Sequence, residues 1–379
     1  MRLRAGHHLA YSTNVHPGET WNETFRALEQ FTLPVRAAVA PNERFGIGLR
    51  LSDRAARELV EPRVLAGFRA WLETNDCYVF TINGFPFGKF HGGPVKEQVF
   101  APDWTTRARL EYTNRLFDIL AALLPNDAEG SISTLPGSFK EFVRADDQIE
   151  AMQRNLQSCV DHIADVSEKF GRTLHLGLEP EPFGLFENVA ETLRFFEGLR
   201  GARVARHLGV NYDACHFAVE YEDPFESLRA LQAAGIRISK LHLSSALRCA
   251  VTNESAAQLR AFVDDVYLHQ VIARTQEGAL RRYKDLPLAL AQNEPAEEWR
   301  IHFHVPLYAE APAPLSTTID HVTGMLDWLA ANPRGCSHLE METYTWNVLP
   351  NSLRSASLAD QLTREYEWVL AQLRERNLA

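Results

Sequence analysis

The sequence predicts an α/β chain closed into a (β/α)8 barrel, on three observations. Short apolar, β-branched runs alternate with long amphipathic stretches along the chain, and each run ends in polar residues. That alternation marks βαβ units and a parallel sheet. No GxGxxG follows the first run, which argues against an open dinucleotide-binding sheet.

Taken in order, the strand candidates are His8–Asn14, Phe45–Ser52, Tyr78–Asn83, Ser131–Leu135, Leu174–Glu179, Leu208–Asp213, Ile238–Leu243, Ile301–Val305 and His338–Thr343. Helical periodicity covers Ala55–Thr74, Thr106–Leu124, Gln148–Phe170, Val189–Glu197, Phe225–Ala234, Thr318–Asn332 and Leu358–Arg376. Nine strand candidates exceed the eight of a barrel by one. The surplus is Ile301–Val305, because it follows a long segment, Arg248 to Arg300, with no clear strand. That segment reads as an insertion between the seventh and eighth barrel strands. It is expected to be helical around Glu254–Gln276 and to fold over the barrel mouth, with Ile301–Val305 as a short extra strand. No Pro-, Gly- or Ser-rich linker divides the chain, so residues 1–379 read as one domain.

Composition narrows the function classes. The chain has 45% hydrophobic and 23% charged residues, and its length can bury a core that needs no staples. Formal net charge is -10, from 49 acidic against 39 basic residues, with no long Lys/Arg run. Such a surface repels a phosphate backbone, so nucleic acid is not an expected partner. The five cysteines form no CxxC pair, which speaks against a disulfide framework or a zinc ribbon. The opening MRLRAGHHLAYSTN has no apolar core of a signal peptide, and no apolar run is long enough to span a bilayer. A cytoplasmic protein without membrane insertion, binding a small molecule, is expected; a homodimer is compatible.

The chemistry collects at strand ends. The fifth run, LHLGLEPEP, places Glu179 and Glu181 at its exit, and the sixth, GVNYDACH, carries Asp213 and His216. The seventh, KLHLSS, carries His242; the extra strand IHFHVP carries His302 and His304; the last, LEMETYTW, carries Glu340 and Glu342. Residues two apart on a strand share a face, so each of these Glu or His pairs points one way. Carboxylates inside a barrel are costly unless paired or bound to a cation. A lone strand-end glutamate is more often a solvated loop residue, and a lone His175 or His302 a satisfied buried histidine. Five strand ends in agreement point instead to a divalent-metal site, and mixed imidazole and carboxylate donors suit Mn²⁺, Zn²⁺, Co²⁺ or Fe²⁺ better than Ca²⁺. Asn14, His16, Asn83, Lys89 and His91 fall at the ends of the first and third strands, on the same face. Gly84, Gly88, Gly92 and Gly93 permit close backbone approach there. Phe85, Phe87 and Phe90 either wall a pocket or pack the loop.

The ordered set of LEP, DxxH, LHLSSALR and a final ET resembles the xylose-isomerase-like barrels: sugar isomerases, keto-sugar 3-epimerases and, more distantly, endonuclease IV. The resemblance implies a divalent metal (Mn, Zn, Co, Mg or Fe) held by Glu179, Asp213, His242 and Glu342, with Glu340 as fallback for Glu342. It implies that Glu179 and Glu342 are the acid/base pair, and that His216 and Arg248 contact substrate. In the endonuclease the counterparts of His216 and His304 bind metal, but His302 stands where that enzyme has Asp. Longer blocks, HLAYSTNVHPGETW, TINGFPFGKFHGGPVKEQVFAPDW, HFHVPL and ETYTW, resemble the EboE family of metabolite-traffic proteins from bacterial ebo operons.

The expected activity is therefore metal-dependent isomerisation or epimerisation of a hydroxy-carbonyl or polyol metabolite, a sugar or sugar phosphate. The metal would polarise the carbonyl while Glu179 and Glu342 move the proton. Glu181, Asn83, His91 and Lys240 are expected to contact substrate, Lys240 alternatively as a structural counter-ion. Two competing expectations are a metabolite-binding or transfer protein without turnover, and an endonuclease-like phosphodiesterase.

Overall fold

The computed structural model describes residues 1–292 and 294–379. Seven runs become parallel strands in chain order: β1 (His8–Tyr11), β2 (Phe45–Arg50), β3 (Cys77–Asn83), β4 (Gly130–Thr134), β5 (Leu174–Leu178), β6 (Leu208–Asp213) and β7 (Arg237–Leu243). Five further strands intervene: β8 (Ser245–Ala250), β9 (Val271–Arg274), β10 (Leu280–Tyr283), β11 (Glu298–Val305) and β12 (Leu315–Thr317). The eighth barrel strand is β13 (His338–Met341). Sheet order is β1-β13-β7-β6-β5-β4-β3-β2. A parallel bridge from Ser12 to Gly48 brings the two edges together, so the ring is nearly closed. The (β/α)8 expectation holds.

Local chemistry explains the elements. Barrel strands are covered on both faces, and β2 to β6 are buried throughout, with apolar residues such as Phe45, Ile47, Ile132 and Val210 set among glycines and small polar residues. Helices lie outside. Arg107–Leu123 starts on a Thr106 cap, and Asp146–Phe170 stops at Gly171, whose φ of 62° a side chain would resist. The run expected as one helix over Ala55–Thr74 is two, Asp53–Leu59 and Pro62–Thr74, because Pro62 lacks an N–H and pushes Glu61 out of helical geometry.

The region between β7 and β13 departs further from expectation. β8 to β12 form an antiparallel sheet in the order β10-β9-β11-β8-β12, with its own core of Leu247, Phe262, Val271, Trp299, Ile301 and Phe303. Ile301–Val305 is an extra strand as expected, but it is the end of the eight-residue centre of that sheet. The expected helix over Glu254–Gln276 shrinks to Asn253–Leu259, and Val271–Arg274 is a strand. Pairing of Val271 with Ile301 and Ala273 with Trp299 overrides local propensity there. Among the described residues, no helix is long and apolar enough to cross a membrane.

Candidate metal centre

Glu179 leaves β5, Asp213 ends β6, His242 lies in β7 and Glu342 follows β13. One donor atom from each falls within 4.8 Å of all the others, and all four residues are buried. The centre of the group is His242 Nδ1, with Glu342 Oε2 at 2.7 Å, Glu179 Oε1 at 3.3 Å and Asp213 Oδ2 at 3.3 Å.

Each carboxylate has one oxygen tied by neutral donors and the other aimed at this point. Asn211 Nδ2 donates to Glu179 Oε2 at 2.7 Å. The Ser244 hydroxyl and the His216 backbone N–H donate to Asp213 Oδ1 at 2.6 and 3.1 Å. Asn14 and Asn83 both donate to Glu342 Oε1, at 2.5 and 2.9 Å. Asn211 and Ser244 were not singled out from the sequence. Asn211 sits two residues before Asp213 on the same strand, so alternation alone places it on the inward face.

On its far side, His242 Nε2 meets Glu340 Oε2 at 2.9 Å. Glu340 thus stands behind the ring, and is not in the four-residue group for which it was the fallback ligand. Lys240 Nζ binds that same oxygen and Ser133 Oγ, with 1% of its side chain exposed. The substrate contact expected of Lys240 does not fit this placement; the counter-ion alternative does. Gly48 makes the layer feasible: a Cβ there would lie 2.0 Å from Glu340 Oε1.

Three clustered carboxylates require a compensating positive charge. Burial opposes an imidazolium at His242, yet Glu342, Glu179 and the bond to Asp213 hold its pKa well above the ordinary histidine range. Burial pushes Asp213 up, but His216, His242 and His304 hold it well below the carboxylate range. Burial, and then the charge of Glu179, push Glu181 well above it. Glu340 is drawn down to about 2 against burial by Lys240 and His242. A donor set of three carboxylates and one imidazole, pre-oriented and wanting positive charge, fits a divalent transition metal.

Beside this centre, three imidazoles face one another. His216 and His302 bring their Nε2 atoms to 3.2 Å, and His302 and His304 to 3.1 Å. On each ring Nδ1 is committed to an oxygen acceptor: Pro180 O at 3.0 Å, Gln270 Oε1 at 2.7 Å and Glu342 O at 2.7 Å respectively. Nδ1 is therefore the donor, and three Nε2 lone pairs converge. Burial, and for His302 its imidazole neighbours, lower all three pKa values, which disfavours a shared proton. Asp213 has a carboxylate oxygen within ligand reach of His216 and His304.

A pocket opens above, lined by Asn14, Asn83, Glu179, Glu181, His216 and Glu342 on its polar side. His91 stands behind it, bound to Asn14 O and the Tyr267 hydroxyl. His16 packs on Phe31 and Tyr11, away from the centre. Arg248 is on the outer sheet, paired with Asp320 at 2.8 Å, and does not line the pocket. The substrate contact expected of it fails for a simple reason: β8 turns away from the barrel axis into the inserted sheet. Of the aromatic run, Phe85 and Phe90 line the pocket, and Phe87 packs on Tyr112.

A family model described as xylose isomerase-like TIM barrel matches residues 45–260, more than half of the chain. The chain belongs to the xylose isomerase-like TIM barrel family. Similar solved barrels include L-ribulose 3-epimerase, at 12% identity and TM-score 0.52, covering 99% of this chain and 96% of that one. D-allulose 3-epimerase from Methylomonas sp., in complex with D-allulose, is 11% identical with TM-score 0.52, covering 98% and 99%. The probable 3-DHS dehydratase AsbF from Bacillus anthracis is 13% identical with TM-score 0.51, covering 96% and 98%. Identities this low show a common fold alone. A search of curated proteins found no match to the chain.

Proposed function

We propose that this xylose isomerase-like barrel is a divalent-metal-dependent isomerase or epimerase of a hydroxy-carbonyl or polyol metabolite. The observation that carries the reading is the arrangement around His242 Nδ1, where Glu179, Asp213 and Glu342 each aim one untied oxygen. These four residues would hold the metal, which when bound polarises a substrate carbonyl and so acidifies the neighbouring C–H. The two sugar 3-epimerases of similar fold accord with this chemistry.

The chain's own residues supply the rest. Glu179 and Glu342 come from strands three places apart in the sheet and both face the pocket. One takes a proton from the substrate carbon and the other returns one, which needs carboxyl groups in unlike environments. Glu342 meets His242 Nδ1 through Oε2 and two amide donors through Oε1, whereas Glu179 has one amide donor, so the two carboxyl groups do stand in unlike environments. Asn14 and Asn83 fix the orientation of Glu342, and Glu340 keeps the proton of His242 on Nε2. The resemblance to EboE adds a role in secondary-metabolite precursor traffic, carried out in the cytoplasm by a single-domain chain.

One observation favours a second reading. The convergent Nε2 atoms of His216, His302 and His304 suit a second cation, as an endonuclease-like phosphodiesterase would need.

Elemental analysis of purified protein tests both. Wild type is expected to retain about one equivalent of transition metal, and a Glu179→Ala, His242→Ala variant to lose it while staying folded. Ketoses incubated with the loaded protein in D₂O should then acquire deuterium at the epimerised carbon. A wild type that takes up no added Mn²⁺, Zn²⁺ or Co²⁺ would sink the isomerase reading and favour a metal-free carrier. About two equivalents, with the second lost in His302→Ala, together with cleavage of a phosphodiester, would favour the second reading.

A further inference from the structure

The pocket above the metal centre has two unlike faces. Facing its polar floor is an apolar wall: Phe85, Phe90 and Val99 from the loop after β3, Tyr267 and Leu268 from the insert, and Tyr344 beyond β13. The wall is preformed. Phe90 packs on Tyr267 and Tyr344 with ring centroids 5.2 Å apart in each case, and Tyr267 on Tyr344 at 5.1 Å. The Tyr267 hydroxyl is bound to His91 Nδ1 at 2.7 Å, so that side chain has its polar end already satisfied.

Apart from the proposed metal, no cationic side chain among the described residues is free to hold an anion in this pocket. Lys96 reaches its lining, but its ammonium contacts Asp264 O at 3.0 Å, Tyr267 O at 2.7 Å and Asp285 Oδ2 at 2.6 Å, which uses all three donors. The nearby guanidinium groups are turned elsewhere: Arg50 to the carbonyls of Gly18 and Gly88, Arg109 to those of Pro102, Gly84 and Phe85. Glu179, Asp213 and Glu342 already match the positive charge of a divalent ion bound among them, which leaves little attraction for a phosphate or carboxylate group. A free sugar would leave the aromatic wall wet, and a sugar phosphate would bring an unpaired dianion against it.

We propose that the substrate of this site is an uncharged hydroxy-carbonyl compound bearing an apolar aryl or alkyl substituent, in preference to a free or phosphorylated sugar. The oxygenated end lies on the polar floor, and the substituent fills the wall formed by Phe85, Phe90 and Tyr344. This assignment rests on the isomerase reading of the metal centre and narrows it.

A matched set of ketoses tests it. Protein loaded with Mn²⁺ is titrated calorimetrically with D-fructose, 6-O-benzyl-D-fructose and D-fructose 6-phosphate, and its metal content is measured on the same sample. The benzyl ether should bind about tenfold tighter than fructose or better, the scale expected for burying a group of that size. The phosphate should bind more weakly than fructose, and Val99→Asp should remove the preference for the benzyl ether. With metal content intact, a phosphate that binds as tightly as the benzyl ether, or a benzyl ether that binds no better than fructose, overturns the inference and leaves the isomerase reading standing. A folded Val99→Asp protein that keeps the preference also overturns it; should that variant not fold, the wild-type comparison decides alone. Failure to take up metal removes the isomerase reading itself, and the inference with it.

Discussion

Both ends of the barrel interior are lined with histidine, and the two sets behave in opposite ways. At the amino ends of the strands, His8, His175 and His338 bond through Nδ1 to Tyr78, Ser239 and Ser131. Burial, as the largest cause, lowers the pKa of all three, with His8 and His175 at about 4. At the carboxyl ends His242 is equally buried, yet three carboxylates hold its pKa above the ordinary value. Burial therefore does not make a histidine a ligand. Its company does: hydroxyl neighbours leave the ring neutral, even with the single carboxylate of Glu129 3.5 Å from His175 Nε2, whereas three converging carboxylates create a site that wants positive charge.

The comparison is most easily broken through Lys240. Lys240→Met would leave buried Glu340 with His242 alone to balance it, and should cost about 3–5 kcal/mol in unfolding free energy, read from urea denaturation. An unchanged midpoint would mean that Glu340 is protonated in the wild type and that the charged layer is an incorrect description.

Glu365 offers the converse case, a carboxyl with donors but no cation. Thr343 Oγ1 and the Leu307 N–H donate to its Oε1 at 2.6 and 3.1 Å. Among the described residues its Oε2 has no hydrogen-bond partner, and burial pushes its pKa up to about 7. Because the folded value exceeds the unfolded one, Glu365 contributes stability that is complete below the unfolded pKa and lost as pH rises through about 7. The stability of wild type relative to Glu365→Gln should thus fall by on the order of 3 kcal/mol across that interval. A difference independent of pH in paired denaturation curves would show that Glu365 titrates normally.

Smaller effects sharpen the contrast. His338→Leu should lower stability by about 1–3 kcal/mol through the lost bond to Ser131. It should leave metal content unchanged by elemental analysis; loss of metal would mean that the two ends are coupled. Arg248→Ala should change unfolding free energy by no more than about 0.5 kcal/mol and leave metal uptake as in wild type, since its partner Asp320 lies at the surface.

The barrel was legible because short runs rich in apolar and β-branched residues alternate with amphipathic helices, and Glu179, Asp213, His242 and Glu342 all fall at or near the carboxyl ends of the later runs. The inserted sheet was not. In β10, Leu280, Arg281 and Arg282 are all exposed, so the strand has no apolar period to read. β12 is three residues long. Within the site, the pair rule grouped Glu340 with Glu342 correctly by face but could not assign depth. The first lies one layer lower, beside Lys240 and behind the ring, and only register against β7 reveals it. Arg248 shows the complementary limit: it follows His242 closely in sequence, but the chain leaves the barrel at Ser245.

The four residues around His242 Nδ1 are spread from position 179 to position 342 of 379. During synthesis on the ribosome, Glu179, Asp213 and His242 emerge first, and the whole inserted sheet must follow before Glu342 can join them. A nascent chain at that stage has a three-donor half-site with no closing strand. The full donor set is thus assembled only when the last barrel strand docks, and an ion bound there as proposed would be captured late in the life of the chain.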